Sequence, residues 1–317
     1  MMLLDMILDM KNKLNNSIKI IIALIISVVC VSYALKDFNY ILFINSLINA
    51  NYVYIVSSIL LLIFIIFLRS IRWRFLFIKK TNINDLYKSQ LIGYMGNNVL
   101  PLRLGELLKA YYLEKKSKIS KYEVIGTVIL ERVLDLVGLV LLFFILLNFS
   151  LFELIDSIYI KIIYSILIFT LISILASYKL NKRKKFKPEN NILLILNDII
   201  TGFSSIDKSN FLLSMLSSIL IWASYVVVVF LVQESMYLDL NFIQCVLILF
   251  LSSIVLMVPS MPGNIGTFEG AVVYTLLLFG IEDNFGFAFI LHAVSFIPYT
   301  LLGLYYLIKE RYIFKNE

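Results

Sequence analysis

The chain has 317 residues, 61% of them hydrophobic and 15% charged, with a mean hydropathy of +0.92 and a net charge of +7. That apolar share excludes an ordinary soluble domain and defines an integral membrane protein. The positive balance does not point to nucleic acid, because the basic residues fall in clusters between apolar runs, the pattern of a topology signal.

Six runs approach or reach the roughly 20 residues that cross about 30 Å of hydrocarbon as helix: 18–35, 53–68, 124–147, 158–178, 211–232 and 286–308. The first is preceded by Asp5 and Asp9 and followed by no convincing small-x-small cleavage site, so it is read as an uncleaved span. Cys30 and Cys245 lie in or beside apolar runs without spacing partners, and support neither a disulfide framework nor a metal site. The basic clusters are Arg69, Arg72, Arg74, Lys79, Lys80 and Lys88, then Lys109, Lys115, Lys116, Lys118 and Lys121, then six residues within 179–187, then Lys309, Arg311 and Lys315. The connections at 148–157, 233–241 and 282–285 hold only Glu153, Asp156, Glu234, Asp239, Glu282 and Asp283. The positive-inside rule places the basic group in the cytoplasm, the acidic group outside, and both termini of this cell-membrane protein in the cytoplasm.

This assignment forces two segments to turn back inside the membrane. Residues 89–108 lie between two cytoplasmic loops and are too short to cross twice, so they form a hairpin turning at "NNVLPLRLGE", 97–106. Residues 242–281 lie between two external loops and turn at "PSMPGNIGTFEG", 259–270. Pro101, Gly105, Pro262, Gly263 and Gly266 are the predicted turn residues. The expected fold is therefore an all-α polytopic membrane protein, one domain over 1–317. It has six full spans plus two re-entrant or broken helical hairpins, in two inverted-topology halves over 18–150 and 158–308. Gly/Pro-interrupted segments in matching positions of two halves are the construction of secondary transporters. The join is the basic run "KRKKFKP", 182–188, and then "NILLILNDIITGF", whose apolar positions recur at helical spacing. Segment 179–210 is read either as ending in an amphipathic helix on the inner leaflet or as a solvated linker.

Charges remaining inside the apolar segments cost about 2.5–3.5 kcal/mol each on insertion scales, so a group of them calls for a reason. They are Arg103 and Glu106 in the first hairpin, Glu131, Arg132 and Asp135 in span 124–147, and Glu269 in the second hairpin. Arg132 and Asp135 are three residues apart on a helix and can pair, leaving Glu131 to find another partner, with Arg103 the candidate. Either the set is a closed ion network or it lines a polar cavity for a lipid head group. Arginines match phosphate, and Glu106, Glu131 and Glu269 can hold a cationic moiety, anchor the arginines or take up protons. If Glu131 lines the cavity, Glu131→Gln should abolish translocation and spare folding. His292, the single histidine, is either a packed residue or a proton or head-group ligand.

Three motifs in order, P-x-R-x-G-E at 101–106, E-R-x-x-D at 131–135 and P-G-x-I-G-x-F-E at 262–269, together with "LHAVSFIPYTLLG", resemble the flippase-like family that includes the transmembrane region of lysylphosphatidylglycerol synthases. The resemblance covers essentially the whole chain. It implies movement of a lipid or lipid-linked sugar between leaflets, carried by Pro101, Arg103, Gly105, Glu106, Glu131, Arg132, Asp135, Pro262, Gly263, Gly266 and Glu269, with His292 where related sequences often have His or Arg. Nothing like a soluble aminoacyl-transfer domain follows the last span, so lipid synthesis is not implied.

The expected function is translocation of a phospholipid or lipid-linked glycan head group through a polar intramembrane cavity. The expected partners are membrane lipids, anionic or polyprenyl-phosphate-linked, and the sequence admits a homo-oligomer. The alternative is a membrane enzyme acting on a lipid phosphate or polyprenyl-linked sugar, with Glu106 or Glu131 as general base. A small-solute transporter would share the architecture. The chain has no GxxxxGK[ST] phosphate loop and no Asp-rich metal set, so no cofactor or metal is predicted.

Overall fold

A computed structural model describes residues 25–311 except 148–164, 180–190, 258–260, 282–284 and scattered positions within 26–37, 166–178, at 80 and at 207. The described residues contain helices, turns and short connections, and no strand. The helices are α1 Tyr40–Ile48, α2 Tyr52–Arg74, α3 Ile83–Val99, α4 Gly105–Ser117, α5 Lys121–Leu147, α6 Asn191–Phe203, α7 Lys208–Ser235, α8 Phe242–Val255, α9 Thr267–Leu278 and α10 Phe285–Lys309. Asparagine starts several of them. The side chains of Asn39, Asn51, Asn82 and Asn241 accept backbone N–H groups that the first helical turn leaves unpaired.

Residues 52–74 of α2, 210–235 of α7 and all of α10 are long and apolar enough to cross a membrane. Helix α5 has 27 residues, more than enough length, but carries the charges of the motif E-R-x-x-D. The predicted spans 18–35 and 158–178, the external connection 148–157 and the basic run 182–188 lie largely or wholly outside the described residues. Segment 191–203 is a helix and not a solvated linker. It packs on the start of α5 so closely that a Cβ on Gly202 would lie 1.9 Å from the carbonyl oxygen of Glu123, while Leu193, Leu196 and Ile200 point outward.

Both predicted hairpins are present as pairs of packed helices, α3 with α4 and α8 with α9. Their arms have 17, 13, 14 and 12 residues. At 1.5 Å per residue these rise about 18–26 Å, short of the roughly 30 Å of hydrocarbon. The first hairpin is longer than 89–108, because α3 begins at Ile83 and α4 runs to Ser117. Pro101 ends α3 by holding Leu100 extended (φ −96°, ψ 144°). A 3₁₀ turn over Pro101–Arg103 follows, with Arg103 itself left-handed at φ 55°, a conformation that non-glycine residues seldom adopt.

Gly105 is not needed for the turn's dihedrals. It opens α4, and a Cβ there would lie 2.0 Å from the carbonyl oxygen of Gly93 and 2.5 Å from the backbone nitrogen of Asn97. The glycine lets the two arms touch backbone to backbone. Gly105→Ala is expected to force them apart and destabilise the protein by about 1–3 kcal/mol, read as a lowered thermal midpoint in detergent. In the second turn the glycines serve conformation. Gly263 has φ 70° and Gly266 φ 87°, a region in which side chains bearing a Cβ are strained.

The packing scheme repeats. Helix α2 packs on α3 as α7 packs on α8, and α4 on α5 as α9 on α10; α3 meets α10 as α8 meets α5, and α2 meets α10 as α7 meets α5. Helices α2 and α7 pack on each other, and the 3₁₀ turn over Pro101–Arg103 touches the one over Pro262–Asn264 in the second hairpin. The main apolar core lies among these elements, with Ile65, Val232, Phe250, Val272 and Phe287 almost completely excluded from the surroundings.

Candidate functional site

Charged side chains collect where the first hairpin meets α2 and α5. Glu131 is fully buried, and its Oε2 accepts from Lys109 Nζ at 2.6 Å. Its Oε1 accepts from Gln90 Nε2 at 3.1 Å, Arg72 Nη2 at 3.3 Å and Arg69 Nη2 at 3.4 Å. One turn along α5, Asp135 accepts from Arg69 at 2.7 Å, Arg72 at 2.8 Å and Arg132 at 3.1 Å. Arg132 also donates to Glu106, in the first turn of α4, whose other oxygen lies 3.9 Å from Lys109 Nζ. The floor is fixed by further contacts: Lys109 sits 3.9 Å from the centre of the Trp73 ring, and Arg72 donates to Ser218 on α7 at 3.1 Å.

Two readings of the sequence are corrected here. Arg69 and Arg72 are not in a cytoplasmic loop: α2 continues to Arg74 and buries both. Lys109 is likewise inside the cluster and not in a basic loop. A cation can remain in an apolar segment when carboxylates meet it with good geometry, and three carboxylates meet these, while Nε of Arg69 and of Arg72 is buried without a partner among the described residues. The i,i+3 spacing of Arg69 and Arg72 directly after an apolar run was the available signal, since one more turn and a half of helix sets both on one face. The second correction concerns Arg103. It does not pair with Glu131; its guanidinium donates to the carbonyl of Leu256, which caps α8, and so ties one hairpin tip to the other. The predicted Arg132–Asp135 pair is present.

Glu269 and His292 are brought together in a second place. Glu269 Oε2 accepts the Gly266 N–H at 2.7 Å, closing the first turn of α9, and Oε1 lies 2.6 Å from His292 Nδ1 on α10. The pair faces a cavity of about 470 Å³. Its walls include Val31, Ala34, Phe43, Ile265, Phe289 and Phe296, so the carboxylate and imidazole supply its main polarity. Neighbouring asparagines join the two places: Asn97 donates to Glu106 at 3.4 Å, and Asn98 donates to the Phe296 carbonyl at 3.2 Å and to Thr300 Oγ1 at 2.9 Å. Among the described residues no group of three or more His, Cys, Asp or Glu side chains is arranged to hold a metal.

An ion cluster built between apolar helices, three of them long enough to cross a membrane, defines a multi-pass membrane protein with a charged interior. The chain belongs to the family described as the lysylphosphatidylglycerol synthase TM region, whose profile matches residues 20–303. It is similar to the UPF0104 membrane protein MJ1078 of Methanocaldococcus jannaschii, with 28% identity over 229 residues, 69% of this chain and 96% of that one. It is also similar to the UPF0104 membrane protein PH1989 of Pyrococcus horikoshii, with 26% identity covering 84% of this chain and 90% of that one. A further M. jannaschii relative, the UPF0104 membrane protein MJ1595, is 37% identical over 98 residues, 29% of each chain. No solved structure matches.

Proposed function

We propose that this protein moves a lipid with an anionic, phosphate-bearing head group between the leaflets of the cell membrane. The observation that carries the reading is the charge balance of the buried cluster. Arg69, Arg72, Lys109 and Arg132 face only Glu106, Glu131 and Asp135, leaving one positive charge without a carboxylate among the described residues. Exposure of the side chains rises from 0% at Glu131 through 14% at Asp135 and 23% at Glu106 to 41% at Arg132. The surplus charge is therefore reachable at Arg132, a planar donor fork suited to phosphate. A phosphate arriving there replaces the missing anion, so its entry into the membrane interior is compensated where a zwitterion's is less so.

The repeated packing scheme supports two halves of inverted topology, with the hairpin tips meeting between them, and the charge asymmetry of the connections supports cytoplasmic termini. Helix α6 then rests at the inner leaflet, with its outward Leu193, Leu196 and Ile200 in lipid. For the enzyme alternative, Glu131 has both oxygens engaged and no exposed surface, which leaves it no approach to substrate as a general base; that reading then rests on Glu106, which is held by Arg132.

The test is lipid movement in liposomes holding the purified protein and fluorescent anionic, zwitterionic and polyprenyl-phosphate lipids, with leaflet exposure read by dithionite quenching. Phosphate-bearing anionic lipids are expected to cross faster than zwitterionic ones. Equal movement of all lipids, or none in folded protein, overturns the reading.

A further inference from the structure

The two halves place an equivalent pair of side chains beside the tip of each hairpin. In the first, Glu106 in the opening turn of α4 holds Arg132 on α5. In the second, Glu269 in the opening turn of α9 holds His292 on α10. Helices α4 and α9, like α5 and α10, occupy corresponding places in the repeated packing scheme. The difference lies in the cation. Arginine keeps its charge at any accessible pH, whereas histidine is the side chain that ordinarily changes charge between about pH 5 and 8.

We infer that the Glu269–His292 pair is a binding site for a proton that is carried with the lipid. The inference rests on the translocation reading above. Three features of the site support it. First, Nδ1 of His292 is engaged by Glu269, which leaves Nε2 as the ring nitrogen able to exchange a proton. Among the described residues Nε2 has no hydrogen-bond partner, and the histidine lines the 470 Å³ cavity. Second, Glu269 is the one charged side chain facing that cavity among the described residues: the segment before α1 offers Val31 and Ala34, α1 offers Phe43, and α10 adds phenylalanines. Among the described residues no other charge lines the cavity beside the imidazole. Third, Phe268 and Phe296 flank the ring, with centroids 4.9 and 5.5 Å away, so aromatic surface fixes its orientation toward the cavity.

The protonated pair has no net charge and the deprotonated pair has one negative charge. Moving the second hairpin tip past an apolar wall is therefore easier when the proton is on. Glu269 also closes the first turn of α9 through the Gly266 N–H, and Gly263 lies where a Cβ would meet the Phe296 ring at 2.4 Å. A change in the Glu269–His292 bond thus acts directly on the tip that touches the first hairpin. In the first half the same joint is fixed by a permanent ion pair.

The chain contains a single histidine, which makes the site directly observable. The full-length protein, labelled with ¹⁵N-histidine and reconstituted in liposomes, gives one imidazole to follow by solid-state NMR while lipid movement is measured in parallel across a pH gradient. The expected result is an imidazole that passes from neutral to protonated as pH falls, together with anionic-lipid movement that speeds up at least several-fold under one direction of the gradient. His292→Arg, which keeps a cation opposite Glu269, should still move lipid but lose the response to the gradient. A histidine that stays in one protonation state, or equal gradient responses in wild type and His292→Arg, overturns the proton site and leaves the translocation reading intact. No lipid movement at any pH overturns the translocation reading and the co-transport with it, even where the imidazole titrates.

Discussion

Replacing Glu131 by glutamine is expected to be among the most damaging single changes in this protein. The substitution keeps the size of the side chain and removes one negative charge from a place with 0% exposure. Arg69, Arg72 and Lys109, all buried, then share two carboxylates with Arg132. Removing one partner of a buried ion pair costs about 3–5 kcal/mol, because the remaining charges stay out of water without compensation. That is a large part of the stability of an ordinary domain. The expected outcome is a strongly lowered thermal midpoint or loss of folded protein on size-exclusion chromatography. This departs from the expectation, drawn from the sequence, that Glu131 lines a cavity and that its amide variant folds and fails only in transport. A Glu131→Gln protein with wild-type stability would mean that the cations of the cluster are compensated from elsewhere.

The second large effect is expected at Arg132, and it has the opposite character. Its side chain is 41% exposed, so Arg132→Gln leaves a polar group that solvent or head groups can reach. It also removes the surplus positive charge, since three cations then balance Glu106, Glu131 and Asp135. A hydrogen bond to a charged group contributes about 1.5–3 kcal/mol, or about 10- to 150-fold in affinity. Folding should persist while binding or movement of a phosphate-bearing lipid falls by that factor, with little change for a zwitterionic one. Glu131→Gln and Arg132→Gln, adjacent in sequence but 0% and 41% exposed, thus separate the structural floor of the cluster from its working rim.

Much of the architecture was legible in the chain itself. The proline and glycine interruptions marked both hairpins, since Pro101 cannot continue α3, and Gly263 and Gly266 take positive φ values. The pairing of Arg132 with Asp135 was legible because three-residue spacing on a helix fixes it locally. Less legible were the ends of the elements. Arg69, Arg72 and Lys109 look like loop cations by the positive-inside rule, and only their partners reveal otherwise. The Glu269–His292 contact spans 23 residues and two helices, and no local pattern specifies it.

The sequence by itself determined the membrane class, the positions of the turns and the presence of charges that the apolar segments had to neutralise, because these follow from composition and from backbone geometry within a few residues. Only the tertiary structure decided which charges meet. Arg69 and Arg72 reach Glu131 across 62 and 59 residues of chain, and that approach is set by the packing of α2, α5 and the first hairpin around an apolar core. Coulomb attraction falls off with distance and rises in a low dielectric, so the same residues are loop cations or a buried network according to where the helices bring them.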